Sequence, residues 1–125
     1  MTKESFEEIA QEAFDSLPEL FKREVDNVQI VVEDYPDEEQ SQLSGGNKYQ
    51  LLGLYQGIPK PHRNTWYGSA PTVPDKISLF QQNIEAQCRT EEELHARIRE
   101  VLFHELGHYF GMNEKEIRRA MRNFL

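Results

Sequence analysis

Apolar residues at helical spacing predict a helix near the N-terminus of the chain. Ser5 followed by Glu8 fits a capping box, in which two side chains satisfy free backbone N–H groups of the first turn. The apolar positions of this helix are Phe6, Ile9, Ala10, Ala13, Phe14 and Leu17. Because proline lacks an N–H and its ring clashes with the preceding turn, Pro18 either kinks the helix or begins a new turn.

Three short stretches have the apolar pattern of β-strands. They cover residues 28–32, 49–55 and 77–84. Gly53 weakens the second stretch and is typical of a bulge. Between the first two, residues 34–46 are polar and contain Pro36, Gly45 and Gly46, a composition that predicts a loop.

Residues 57–74 predict a longer loop, because they hold four of the six prolines of the chain. The same stretch contains His62, Arg63, Trp66 and Tyr67. A loop with such side chains is typical of a packed lid or of a binding loop.

Two more helices are predicted towards the C-terminus. Thr90 and Glu93 form a second capping box, which opens a helix that runs to about Phe110, where Gly111 can end it. Asn113 can cap a last helix that runs to the end of the chain. The order helix, three strands, helix, helix predicts a single α+β domain over residues 1–125.

Composition and charge exclude several classes of protein. No apolar run approaches the ~18 residues of a membrane-spanning helix, and residues 1–10 lack the apolar stretch of a signal peptide. The net charge is −8, with 13 acids and 3 bases in residues 1–40, so nucleic acids and anionic membranes are not expected partners. The one cysteine, Cys88, excludes an internal disulfide and a cysteine zinc site. We expect a cytoplasmic monomer.

The segment with the clearest chemistry is HELGH, residues 104–108, within the helix that Thr90 opens. Residues four apart share one helical face, so His104 and His108 can direct two imidazoles at one zinc ion. In this motif the intervening Glu105 is the general base, which takes a proton from the water that the metal activates and later returns it. The alternative is a helix with two surface histidines and a solvated glutamate.

The helical wheel separates these alternatives. Glu105 falls in the middle of the stripe formed by the apolar residues of its helix, whereas His104 and His108 lie at the edge of that stripe. An unpaired carboxylate buried there costs several kcal/mol, and a purely structural helix would carry Leu or Ala instead. The position of Glu105 therefore favours a chemical role.

Gly111 and Glu114 extend the motif to HExxHxxGxxE. A glycine lets the helix end in a left-handed turn, so the residue three positions later can return to the metal. This makes Glu114 the candidate third ligand. It is also explained as a first-turn acid that the helix dipole favours after the Asn113 cap.

The run of residues 104–114, HELGHYFGMNE, resembles the small zincin-like metallopeptidases of bacteria, also called minimal zincins. Residues 53–59 (GLYQGIP) and 74–80 (PDKISLF) look like two other stretches of that family. The resemblance implies a compact zincin-like α+β core. It also implies that the strand between Ile77 and Phe80 is an exposed sheet edge lining the cleft, where a peptide or an unfolded protein could add as a further strand.

The pattern departs from that of metzincins, which have histidine at the place of Glu114 and a methionine turn further along. Met112 and Met121 are not placed like that turn and are expected to pack. Eleven residues follow Glu114, so part of the usual specificity region is expected to be missing. The resemblance thus supports a zinc site more firmly than efficient proteolysis.

The first hypothesis is a zinc metallopeptidase with His104, His108 and Glu114 as ligands and Glu105 as the base. Arg63, Tyr67 or His62 could stabilise the oxyanion. The second is a zincin-fold binding module with weak or no turnover. A third is a metal-dependent ribonuclease of the kind that uses three histidines with the spacing H-x3-H-x5-H. Positions 104, 108 and 114 match this spacing, although position 114 is glutamate. Regulatory metallopeptidases that cleave repressors share HELGH but not its continuation.

Overall fold

The elements follow the predicted order, with additional short helices. A computed structural model describes residues 1–43, 45–62 and 74–124. In chain order its elements are α1 (Lys3–Asp15), α2 (Glu19–Glu24), β1 (Val28–Glu33), α3 (Glu38–Leu43), β2 (Gly53–Gln56), a 3-10 turn (Lys60–His62), β3 (Asp75–Phe80), α4 (Gln81–Ala86), α5 (Glu91–Tyr109) and α6 (Glu114–Phe124). The predicted α+β class is confirmed.

The N-cap of helix α1 lies three residues before the predicted cap. The Thr2 hydroxyl, not the Ser5 side chain, is the cap, and it accepts a hydrogen bond from the backbone N–H of Ser5 at 3.1 Å. Pro18 does not lie inside a helix, because α1 ends before it and α2 begins directly after it. The apolar face of α1 is buried against α5, and its buried side chains are Phe6, Ile9, Ala10 and Ala13.

The three strands form one mixed sheet in the order β1-β3-β2. Strand β1 runs parallel to β3, with Val28 opposite Asp75, and β2 runs antiparallel to β3, with Gly53 opposite Leu79. The prediction that the strand between Ile77 and Phe80 is an exposed edge is therefore wrong. Its backbone is paired on both sides, so it offers no free groups to a peptide.

The burial of β3 gives the physical reason for its central position. Ile77, Ser78, Leu79 and Phe80 are all fully buried. A strand covered on both faces reads as a nearly continuous buried run, which is typical of the middle of a sheet rather than its edge. Among the described residues, the edges of the sheet are β1 and β2.

Two short helices, α3 and α4, are absent from the predicted pattern. In α3, inside the expected loop, Asp37 and Gln40 cap one another, since each side chain accepts from the other residue's backbone N–H, at 2.7 and 3.0 Å. The third strand ends at Phe80 and continues as α4, where the buried Asn83 amide donates to the carbonyls of Lys48 and Leu51. Because these contacts are polar, they produce no periodic pattern of apolar residues from which the sequence could predict α3 and α4.

Helix α5 packs against both the sheet and the other helices. The Thr90 hydroxyl accepts from the Glu93 N–H at 3.1 Å, so the predicted cap is confirmed. The helix packs against α1, both β2 and β3, and α6. In the part of the chain that the structure describes, no helix is long and apolar enough to cross a membrane.

Candidate metal centre

The last two turns of α5 present the two histidines side by side. The rings of His104 and His108 lie with centroids 4.8 Å apart and nearly perpendicular. Each side chain is about one-third exposed. The pair is therefore open to solvent on one side while its helix is anchored in the core, as the four-residue spacing predicts.

The turn after α5 brings the chain back towards these histidines. Gly111 has φ +79°, a conformation that favours glycine, and its N–H donates to the His108 carbonyl at 3.0 Å. The Met112 N–H donates to the Gly107 carbonyl at 2.9 Å, which completes a Schellman motif. Gly111 therefore ends the helix as the sequence predicts.

A capping box then fixes the start of α6. The Asn113 side chain accepts from the Glu116 N–H at 2.9 Å, and the Glu116 carboxylate accepts from the Asn113 N–H at 3.0 Å. Both predicted caps of the C-terminal half are thus confirmed. They make Glu114 the first residue of α6, one turn of chain away from His108.

The Glu114 carboxylate lies between the two imidazoles. Its Oε2 is 2.8 Å from Nε2 of His104, and its Oε1 is 3.4 Å from Nε2 of His108. A first-turn acid that served only the helix dipole would not need these contacts. The arrangement brings together the three residues that the sequence nominates as ligands.

Glu105 occupies a different side of the same cluster. It is buried, as its place in the apolar stripe predicts, and one carboxylate oxygen lies 3.0 Å from Nδ1 of His104. Glu105 thus contacts the inner nitrogen of that ring, whereas Glu114 contacts the outer one. One donor atom of each of Glu105, His104 and His108 also lies within 4.8 Å of the others, so Glu105 is near enough to compete as a ligand.

Two carboxylates hold the His104 imidazole in its charged form. The hydrogen bond that His104 donates to the Glu105 carboxylate is the largest influence and, with the one it donates to Glu114, raises the pKa of His104 from 6.5 to about 9, although burial opposes the shift. The hydrogen bond with His104 in turn lowers the pKa of the Glu114 carboxyl. In the absence of a metal ion, the charged His104 side chain therefore supplies a positive charge at the place where the sequence predicts a metal cation.

The donor set suits a zinc ion. Two imidazoles and one carboxylate are a ligand set that catalytic zinc sites use, with a fourth position left open. The Glu114 carboxylate lies 2.8 Å from Nε2 of His104 through one oxygen and 3.4 Å from Nε2 of His108 through the other, so both rings lie beside the same carboxylate.

Two glycines allow the close packing around this site. A Cβ on Gly53, the first residue of β2, would lie 2.7 Å from a Val101 methyl and 3.2 Å from Cγ of Glu105. A Cβ on Gly107 would lie 2.5 Å from Cγ1 of Ile117 in α6. The sequence marks Gly53 as a possible bulge, but nothing local shows what either glycine approaches.

The first part of the long loop contacts the turn that follows α5. Pro61 packs against the turn at Gly111, where a Cβ would lie 2.8 Å from the proline ring. This contact joins the start of the loop to the turn that ends α5, and residues 63–73 of the loop lie outside the described residues. His62 is exposed, and Arg63 and Tyr67, the other oxyanion candidates, lie outside the described residues.

Several residues near the motif have structural roles. Tyr109 is fully buried, and its hydroxyl accepts from the backbone N–H of Asp26 at 2.9 Å, so it is a core residue. Met121 packs against the core, as expected. His95 is part of the exposed side of α5, where it lies 3.7 Å from Glu91.

Comparison with known proteins identifies a matching family. The model of one protein family, described as zincin-like metallopeptidase, matches residues 25–122. That span runs from the residues before β1 to near the end of α6 and includes all the candidate site residues. No protein of established function matches the chain.

Proposed function

The chain belongs to the zincin-like metallopeptidase family, and from that premise we propose that it is a zinc-dependent peptidase. In this proposal His104, His108 and Glu114 hold the metal, and Glu105 is the general base. The observation that carries it is the Glu114 carboxylate lying against both imidazoles, because α5 and α6 bring these groups together across a turn.

When bound, a zinc ion would act as a Lewis acid on the attacking water and on the scissile carbonyl. Glu105 accepts the proton of that water and then donates it to the amine nitrogen that leaves. Its buried carboxylate has one oxygen on His104 Nδ1, which orients the side chain and leaves the other oxygen for the proton. The same contact fixes the His104 ring so that Nε2 faces Glu114, where it would be available to a bound zinc ion.

We place the peptide along β2 rather than β3. On the side away from β3, β2 pairs with no strand among residues 1–43, 45–62 and 74–124. Gly53 at its start is in contact distance of the Glu105 side chain. An extended peptide hydrogen-bonded to this edge would pass beside the base and the metal ligands, which is the general mode of strand addition.

The proposal is tested by the metal dependence of peptide cleavage. The purified protein should cleave an unstructured protein, lose that activity with a chelator, and regain it with zinc. Zinc should stabilise the fold by about 2.7 kcal/mol at a hundredfold excess over its dissociation constant. His104→Ala should remove both effects, and Glu114→Ala should weaken them.

His95→Ala is the matched control, because it removes a histidine from the exposed face of the same helix. It should leave zinc binding and cleavage unchanged. Absence of zinc from the protein, with no shift in its melting temperature, would contradict the metal site. Bound zinc without cleavage of a broad peptide mixture would favour the binding-module hypothesis instead.

A further inference from the structure

One face of α6 carries a continuous stripe of positive charge, called the basic stripe below. Its members recur at helical spacing on adjacent turns, and they are Lys115, Arg118, Arg119 and Arg122. All four side chains are exposed, and none forms a salt bridge with another residue that the structure describes. Several bases elsewhere are paired, among them Lys60 with Glu24 and Lys76 with Glu33. The basic stripe is thus available to a partner from outside the chain.

The positive charge of the stripe contrasts with the acidity of the rest of the chain. Helix α6 has four bases and two acids, a net charge of +2, whereas the whole chain has −8, so the other residues together carry −10. A large polyanion, such as a nucleic acid or an anionic membrane, would extend beyond α6 and meet this negative charge. A short acidic group can contact the basic stripe without doing so. The charge distribution therefore favours a short anionic partner.

The basic stripe borders the candidate metal centre. Glu114, the first residue of α6, contacts Nε2 of His104. At the helical rotation of 100° per residue, Arg118 lies one turn further along α6 and only about 40° around it from Glu114. In the other direction around the helix, Ile117 is fully buried in the core. A peptide that lies in the cleft can therefore reach the basic stripe with residues that precede or follow the bound part.

The length of the stripe corresponds to a few residues of an extended peptide. Lys115 and Arg122 are seven residues apart, which at 1.5 Å per residue is about 10 Å along the helix. An extended chain advances about 3.3 Å per residue, so roughly three or four of its residues span that distance. Arginine recognises carboxylates with two parallel N–H bonds, and three of the four bases are arginines. The group that fits is a short run of Asp or Glu residues.

We propose that the basic stripe of α6 binds a run of Asp or Glu residues in the polypeptide that occupies the cleft. This acidic run lies outside the residues bound at the metal centre and holds the polypeptide by charge. Its role in the choice of substrate rests on the proposed function, whereas the binding of an acidic run to α6 requires no catalysis.

Binding of labelled peptides to the zinc-loaded Glu105→Gln protein, followed by fluorescence anisotropy, tests the proposal. The probes share one uncharged, unstructured sequence and end in either Asp-Glu-Asp-Glu or its amide counterpart Asn-Gln-Asn-Gln, placed at the N-terminus in one pair and at the C-terminus in another. Because several exposed ion pairs act together, the acidic probe of at least one pair should bind about tenfold more tightly than its amide counterpart at low salt. Since salt screens exposed charges, that ratio should fall below about threefold at ~1 M salt.

Two triple variants separate the basic stripe from the net charge of the protein. Replacement of Arg118, Arg119 and Arg122 by glutamine should reduce the ratio of acidic to amide affinity to less than about twofold. The matched control replaces three exposed arginines outside α6 by glutamine, and these are Arg23, Arg89 and Arg99. It has the same net charge and should retain the ratio within about twofold. Replacement of the three stripe arginines by lysine preserves their charge and should retain most of the ratio, and thermal melts should show that all variants fold.

An affinity ratio that the α6 variant leaves unchanged, or that the control variant reduces as strongly, would overturn the proposal. Tighter binding to α6 of a single-stranded oligonucleotide or of phosphatidylserine vesicles than of the acidic probe would also overturn it, by identifying a different class of partner. Binding of the acidic probe through α6, in a protein that hydrolyses no peptide, would retain the basic stripe and reject the peptidase. Zinc-dependent hydrolysis with the same KM for acidic and amide probes would do the reverse.

Discussion

Replacement of Gly107 by alanine tests whether the packing of α6 on α5 holds the metal site together. A Cβ at this position would lie 2.5 Å from Cγ1 and 2.8 Å from Cδ1 of the fully buried Ile117. Ordinary carbon contacts are about 3.5–4.0 Å. The new methyl group therefore requires α6 to move away by roughly 1 Å.

We expect the substitution to change the stability of the metal-free protein and its affinity for zinc by different amounts. Alanine in place of glycine gains about 1 kcal/mol of helix propensity, whereas overpacking costs about 1–3 kcal/mol, so the metal-free protein should lose ~0–2 kcal/mol. Glu114 begins the helix that moves, and ligand distances in a metal site lie within about 0.2 Å of their usual values. We therefore expect Gly107→Ala to weaken zinc binding by at least about tenfold.

Zinc titration by calorimetry and denaturant melts of the metal-free protein measure the two effects. Ile117→Ala removes the atoms that clash, so the double variant should bind zinc within about threefold of Ile117→Ala alone. Wild-type zinc affinity in Gly107→Ala, with unchanged or higher stability, would refute the claim that this contact positions α6. Lower stability with unchanged zinc affinity would show that Glu114 is not a ligand.

Four further predictions concern the same site. At pH 7.5, zinc binding should release about one proton, because the pKa of His104 is raised to about 9 and its imidazole must lose that proton to bind metal; calorimetry in two buffers should show less release by Glu105→Gln. For the same reason, the His104 contribution to stability of the metal-free protein should be present below about pH 6.5 and lost as the pH rises through about 9, as pH-dependent melts would show. Gly53→Ala should cost about 1–3 kcal/mol in denaturant melts, since its methyl group would press on the Val101 side chain first and on Glu105 next. Asn113→Ala should cost about 1 kcal/mol and weaken zinc binding, whereas the matched cap variant Thr90→Ala should change only stability.

The local parts of the site could be predicted from the sequence. The caps at Thr90 and Asn113 and the stop at Gly111 depend on residues a few positions apart, and they fix where α5 and α6 begin and end. The period of α5 likewise predicts that Glu105 is buried. Because the motif and its third candidate ligand lie within one such local unit, their proximity follows from the sequence.

The parts that depend on distant contacts could not be predicted. Strand β3 lies at the centre of the sheet because β1 pairs with it across more than forty residues, for example Val28 with Asp75, and no local pattern specifies that pairing. The same holds for Gly53 and Gly107, whose missing side chains matter only beside Glu105 and Ile117. The sheet edge that packs against α5 is therefore β2 rather than β3, and it is there that we propose the peptide binds.

The most direct test of the proposed chemistry is the rate of peptide cleavage by Glu105→Gln at full zinc occupancy. The substitution preserves the shape of the side chain and removes the base. We expect zinc binding and folding to be retained and cleavage to fall by at least ~100-fold, the lower end of general-base effects. Cleavage at the wild-type rate by a zinc-loaded Glu105→Gln protein would contradict the assignment of Glu105 as the base.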